Sequence, residues 1–229
     1  MEELNYVVLG SKPWNRTVFD QCLANQPGQW HFIASPEDLK LERIEGLNPR
    51  YLFFIHWSWK VDAEIVNNYE CVCFHMTDVP YGRGGSPLQN LILNGHSFTK
   101  LAALQMTEAF DAGPVYLKTD LGLSGNAEEI YIRSTYLSAE MIQDIVQLNP
   151  KPMPQTGEVT VFKRRQPAQS EITEPNSLRE LYDFVRMLDA EGYPKAFFEY
   201  QGFRYEFSRA ALQHGRMVSD VTITPLSPA

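Results

Sequence analysis

Short apolar runs recurring between helix-like stretches constrain this chain more than any other feature. Tyr6-Val7-Val8-Leu9-Gly10, Trp30 to Ala34, Tyr51 to His56 and Cys71 to His75 each read as strands, and the last two are apolar on both faces. Between them, Trp14 to Ala24 reads as a helix opening after Pro13. Ser35-Pro36-Glu37-Asp38-Leu39 reads as a second helix start with proline at its first position, and Asp62 to Asn68 as a third helix. A strand apolar on both faces must be covered on both. Strand, helix and strand repeated this way predict an α/β fold: a Rossmann-like, mostly parallel sheet with right-handed crossovers and helices on both faces.

Further on, Pro87 to Asn94 reads as a helix closed by Gly95, and Phe98 to Met106 and Pro114 to Leu121 as strands flanking a loop at 107–113. A long helix is expected from about Ala127 to Leu148. The segment Asn149-Pro150-Lys151-Pro152-Met153-Pro154 ends it and gives the expected boundary between a catalytic domain over 1–150 and a small mixed α+β extension over 151–229. That extension should hold a strand into Lys163-Arg164-Arg165, a helix from Ser177 to Leu188, and two aromatic strands, Lys195 to Tyr200 and Phe203 to Phe207.

A chain of 229 residues buries enough surface, roughly 70% of what the unfolded chain exposes, to need no disulfide or structural metal. Cys22, Cys71 and Cys73 have no partner pair at zinc spacing, so no metal is expected. The 20 Lys+Arg against 28 Asp+Glu leave a net charge of −8, which repels a polyphosphate and sets the expectation of no nucleic-acid partner. The start Met1-Glu2-Glu3-Leu4-Asn5 is acidic and no apolar run approaches 18 residues, so a cytoplasmic protein without membrane association is expected.

After the first strand, Gly10-Ser11-Lys12-Pro13-Trp14 lacks the dinucleotide glycines. The glycine-rich Pro80-Tyr81-Gly82-Arg83-Gly84-Gly85-Ser86-Pro87 is no phosphate loop of the Walker type, since no Gly-Lys-Ser/Thr closes it. It does follow directly on His75, at the strand end where open parallel sheets bind ligands. The whole run His75-Met76-Thr77-Asp78-Val79-Pro80-Tyr81-Gly82-Arg83-Gly84-Gly85-Ser86-Pro87 resembles the Asn-x-His-x-Ser-x-x-Pro-x-x-Arg-Gly-x-x-Pro segment of the folate-dependent formyltransferases, which include methionyl-tRNA, glycinamide ribonucleotide and nucleotide-sugar enzymes. Asp111-Ala112-Gly113, 36 residues beyond the histidine, is similar to that family's Asp-x-Gly loop. The resemblance is clear over roughly residues 50 to 120.

What the resemblance implies is an enzyme using 10-formyltetrahydrofolate, with His75 and Asp111 as catalytic residues. An amine attacking a formyl carbon builds charge on oxygen and must shed a proton, tasks for an imidazole with a carboxylate beside it. The family asparagine, two residues before the histidine, is Cys73 here, and a thiol is a poor oxyanion donor. Asn90, Asn94 and Thr77 are candidate replacements, with Asn90 the first choice. The implied cofactor-binding set is His56, Trp57 and Ser58 as a wall for the pterin, Thr77, Pro80, Arg83 and Gly84 in the glycine loop, and Met106 and Phe110 near Asp111. Trp57 and Trp59 suit the core equally, and Arg83 could instead brace its own loop.

For the acceptor, Tyr81, Lys163, Arg164, Arg165, Arg186 and Phe197 form the expected binding set, the basic triplet holding a diphosphate. The acidic chain ends at Ala229 without a basic barrel domain, which disfavours transfer RNA. The segments Phe184 to Ala190 and Tyr193 to Phe197 resemble sugar formyltransferases. The reading is a sugar N-formyltransferase acting on a nucleotide-linked amino sugar of the pseudaminic-acid type, compatible with a homodimer. The alternatives are a non-catalytic folate-binding or interaction protein of the same fold, and a formyltransferase for another small amine.

Overall fold

The computed structural model describes residues 4–226, so Met1 to Glu3 of the acidic start lie outside the described residues. The chain forms two compact units. The first runs to Gly84 and takes in 100–121 and 132–161; the second comprises 85–99, 122–131 and the chain from Phe162 onward. The division by contacts is thus discontinuous, where the sequence suggests a single boundary at 150. The reason lies in hydrogen bonds that tie the middle of the chain to its end, such as Gln89 Nε2 to the Met187 carbonyl at 3.1 Å and the Glu128 N–H to the Asp189 carbonyl at 3.1 Å.

The first unit opens with β1 (Asn5–Gly10), α1 (Pro13–Val18), β2 (Gln29–Ile33), α2 (Leu41–Leu47), β3 (Tyr51–Ile55), α3 (Ala63–Asn68) and β4 (Cys71–His75). After a two-residue strand β5 (Arg83–Gly84) come α4 (Pro87–Leu93), β6 (Phe98–Gln105), β7 (Val115–Gly122) and α5 (Ala127–Leu148). Six strands form one sheet in the order β2-β1-β3-β4-β6-β7. Tyr6 pairs with both Trp30 and Tyr51 and Leu52 with Cys71, all in parallel; β6 turns antiparallel to β4, with His75 opposite Ala102. The mostly parallel α/β sheet expected from the apolar runs is the one found. All five residues of β3 are buried, and Val7, Leu9, Leu52, Phe54 and Cys71 pack with Ile33, Ile44 and Ile65 of the flanking segments. Each such side chain contributes roughly 1.5–3 kcal/mol by leaving water.

Two local expectations shift. Ser35 does not cap a helix: its hydroxyl donates to the Asp38 carboxylate, only a 3-10 turn forms at Pro36–Asp38, and α2 starts at Leu41. The first helix continues past Val18 as a π-helical turn, Phe19–Leu23.

In the second unit, following the two-residue β8 (Val161–Phe162), α6 (Leu178–Arg186) packs on a sheet of order β11-β10-β9, made of β9 (Ala196–Tyr200), β10 (Phe203–Gln213) and β11 (Arg216–Pro225). The sequence reading stopped β10 at Phe207 and missed β11. A register shift between Ser208 and Ala211 breaks the alternation there, and the strand resumes beyond it before turning at His214-Gly215. No helix among the described residues is long and apolar enough to cross a membrane.

Candidate active site

Because β4 lies between β3 and β6, its carboxyl end opens at the middle of the sheet edge, and that end is His75, 7% exposed. Its Nε2–H donates to the Gly82 carbonyl at 2.8 Å, and the Thr77 hydroxyl donates to the same oxygen at 3.3 Å. Its Nδ1 lies 3.4 Å from Asp111 Oδ1. Both ring nitrogens thus face oxygen acceptors. Asp111 sits in the left-handed region at φ 53°, and its Oδ2 accepts the Gly84 N–H at 2.9 Å. The loop can pass here because residue 113 is glycine: a Cβ there would stand 1.8 Å from the Gln105 carbonyl oxygen.

One contributor was missed by sequence reasoning. Gln155 donates from Nε2 to the carbonyls of Asp111 (2.8 Å) and Gly113 (2.7 Å), and its Oε1 accepts from Arg83 Nε (3.1 Å) and Nη2 (2.8 Å). It directly follows the proline-rich segment read as the domain boundary, and a lone glutamine gives no signal of such a role. The Arg83 guanidinium thus ties the glycine loop to Gln155. Its main-chain N–H donates to Thr160 O at 2.9 Å, laying the 155–160 segment alongside the glycine loop.

Cys73 stands in the same strand, two residues before His75, partly buried among apolar neighbours including Val79 and Leu104. Burial, then the Asp111 charge, push its thiol well above the ordinary range, so it stays neutral and a weak donor. Asn90 offers no replacement. Its carboxamide nitrogen is spent on the carbonyls of Gly85 (3.1 Å), Ser86 (2.9 Å) and Lys163 (3.3 Å), where it stitches the start of α4 to the basic triplet. Thr77 is buried with its hydroxyl on Gly82, so it shapes the loop and has no free face for a ligand.

His56 is likewise a fixture. Its Nδ1 accepts from Asn15 Nδ2 at 3.4 Å and its Nε2–H donates to Ser134 Oγ at 2.9 Å. Burial, with Lys12 nearby, lowers its pKa to about 4, so the ring is neutral and anchors the end of β3 to α5. Trp57 packs edge-on to Phe54 and Trp59, and its indole N–H is buried without a hydrogen-bond partner. An orphaned donor in an aromatic wall fits a flat heterocycle bearing acceptors, such as a pterin. Ser58 is exposed, Pro80 buried, Gly84 and Met106 partly buried, and Phe110, beside Asp111, 78% exposed.

In the second unit, the expected acceptor set divides. Lys163 and Arg164 are exposed. Their main chain is held close to the glycine loop, since a Cβ on Gly85 would lie 2.6 Å from the Arg164 Cα. Arg165 is turned inward, onto the Gln169 carbonyl and the Phe184 ring. Arg186 is corrected: at 4% exposure it ties the carbonyls of Leu123 (2.7 Å) and Gly125 (2.8 Å) and pairs with Asp183, which leaves nothing for a substrate. Phe197 is corrected too, being buried under the Arg204 guanidinium, 4.1 Å from its ring centroid. Tyr81, in the first unit, is partly buried. Among the described residues, no group of three or more His, Cys, Asp or Glu is placed to hold a metal ion.

A solved methionyl-tRNA formyltransferase from Clostridium thermocellum is 41% identical, with a TM-score of 0.92 over 97% of this chain and 99% of its own. The chain belongs to the methionyl-tRNA formyltransferase family. A family model described as the methionyl-tRNA formyltransferase C-terminal domain matches residues 167–224, so the segment expected to be a small extension is recognised as part of that architecture. The methionyl-tRNA formyltransferase of Thermodesulfovibrio yellowstonii is 26% identical over 166 residues, 67% of this chain and 54% of that protein. The chain thus spans about half the length of this curated relative. HypX from Aquifex aeolicus, solved in complex with tetrahydrofolic acid, shares the fold at 17% identity (TM-score 0.75, covering 91% of this chain and 38% of its own). The family's formyl donor is 10-formyltetrahydrofolate, as the motifs implied.

Two expectations are overturned by these relatives. The nucleotide-sugar acceptor is overturned, because the relatives similar in sequence are named for methionyl-tRNA, whereas the solved sugar N-formyltransferases are under 20% identical and share the fold alone. The exclusion of nucleic acid falls with it. A net charge of −8 averages over the whole surface and says little about a local patch such as Lys163-Arg164.

Proposed function

We propose that this chain transfers a formyl group from 10-formyltetrahydrofolate to the amino group of methionyl-tRNA. The observation that carries the reading is the His75–Asp111 pair, 3.4 Å apart at the mouth of the central strand, in a chain 41% identical to a methionyl-tRNA formyltransferase. When bound, the donor supplies its formyl group as an amide whose nitrogen leaves while the methionyl amine bonds to the carbon. His75 takes the proton the amine gives up and returns one to the departing nitrogen, so no net proton is consumed. Asp111, fixed by Gly84, orients the imidazole and balances its charge while it carries the extra proton. Cys73, held neutral, and Asn90, engaged elsewhere, are not the groups that steady charge on the formyl oxygen.

Trp57 supplies a wall and one donor for the pterin, and Lys163 and Arg164 meet backbone phosphates of the acceptor. Incubating the chain with methionyl-tRNA and 10-formyltetrahydrofolate should yield formylmethionyl-tRNA, detected by mass spectrometry after deacylation. His75→Ala should lose the product. Absence of transfer by the unaltered chain would refute the reading.

A further inference from the structure

We propose that Gln155 is a positioning residue for the transfer, setting the Asp111 loop against the glycine loop through a fully used carboxamide; this rests on the formyl-transfer reading. Both its N–H groups are taken by the carbonyls of Asp111 and Gly113, and its oxygen accepts two guanidinium N–H groups of Arg83. Arginine can only donate and a main-chain carbonyl can only accept, so the amide has a single orientation that satisfies all four bonds. It therefore acts as a two-sided clamp. On one side it grips the residue after Gly82, whose carbonyl holds His75 Nε2; on the other it grips Asp111, which faces His75 Nδ1. The backbone it holds needs holding, since Asp111 is in the left-handed region, where a non-glycine residue is disfavoured unless its surroundings fix it. Gln155 lies outside both sequence motifs and reaches them only because the 155–160 segment runs beside Pro80 to Arg83, where the Thr160 N–H donates to the Pro80 carbonyl at 3.2 Å.

The test uses the full chain with methionyl-tRNA and 10-formyltetrahydrofolate. Gln155→Met keeps length and removes all four bonds; Gln155→Glu keeps the Arg83 contact and turns an acceptor toward two carbonyls. Each should lower kcat by about 10- to 100-fold while the KM for the donor stays within about twofold, as for an interaction realised at the reacting groups. In an Asp111→Asn background, Gln155→Met should cost less than about twofold more, because its effect runs through Asp111. A folded Gln155→Glu with kcat near the unaltered value, or a full further loss in the Asp111→Asn background, would overturn the proposal. Should the unaltered chain transfer nothing, the functional reading fails by itself. Amide hydrogen exchange then decides the clamp: residues 109–113 should exchange faster in Gln155→Glu, and unchanged protection refutes it.

Discussion

Asp111 divides its carboxylate between two loops, presenting Oδ1 to His75 Nδ1 at 3.4 Å and accepting the Gly84 N–H on Oδ2 at 2.9 Å. The second bond fixes where the first oxygen can stand. Removing the charge while keeping the shape should therefore act on the chemical step. Asp111→Asn is expected to reduce kcat by about 100- to 10,000-fold, with donor binding measured by fluorescence titration nearly unchanged. Equal loss of binding would mean that Asp111 holds the ligand and leaves the imidazole alone.

Gly113→Ala should be as damaging as a change in the His75–Asp111 pair, though it touches neither side chain. Its Cβ would overlap the Gln105 carbonyl, a main-chain oxygen that cannot swing away, so the loop carrying Asp111 must shift. A displacement of about 1 Å at a reacting group can cost on the order of 100-fold. Steady-state kinetics on a variant whose melting temperature shows it to be folded would settle this, and full activity would contradict the loop geometry.

The neutral, partly buried His56 makes the fold sensitive to acid. An unfolded histidine takes a proton near 6.5, whereas His56 in the fold does so only near 4. Between those values the unfolded state binds the proton alone, so stability falls as pH is lowered through the window, by on the order of 3 kcal/mol in full. Urea unfolding at pH 7 and pH 4.5 should show most of this drop, and His56→Gln should flatten it. An unchanged pH dependence in the variant would place the sensitivity elsewhere.

Cys73→Ala should leave turnover within about threefold, since a thiol held neutral by burial gives the formyl oxygen almost nothing. The same burial should keep Cys71, whose thiol is pushed up to about 12, from alkylation by iodoacetamide at pH 8. Labelling followed by peptide mass mapping checks both cysteines, and rapid modification of either would contradict their placement.

Lys163 and Arg164 should contribute to acceptor binding through charge alone. Binding of methionyl-tRNA should weaken with added salt, and the double variant Lys163→Ala/Arg164→Ala should reduce the slope of log affinity against log salt by up to about 2. Donor affinity should not change. An unaltered slope would show that these exposed cations do not meet phosphate.

By itself the sequence determined the sheet and the place of His75 at its edge, while Asp111 was reached through the resemblance of its Asp-x-Gly loop. Runs apolar on both faces, as in β3 and β4, can be buried only in a covered parallel sheet, and a histidine closing such a run falls at the sheet's carboxyl edge wherever the other strands lie. Local pattern could go no further, because what completes the site depends on segments distant in the chain. Asn90 and Thr77 have the right chemistry and the right neighbourhood in sequence. Only packing revealed that the first spends its donors on Gly85, Ser86 and Lys163 and the second on Gly82. Arg186 and Phe197 looked like ligand contacts for the same reason: a residue type says what a side chain can bind, and burial decides what it meets. Gln155 is the converse case, since its four hydrogen bonds all cross at least 42 residues of chain, and a contact of that span exists only once the fold has brought its ends together.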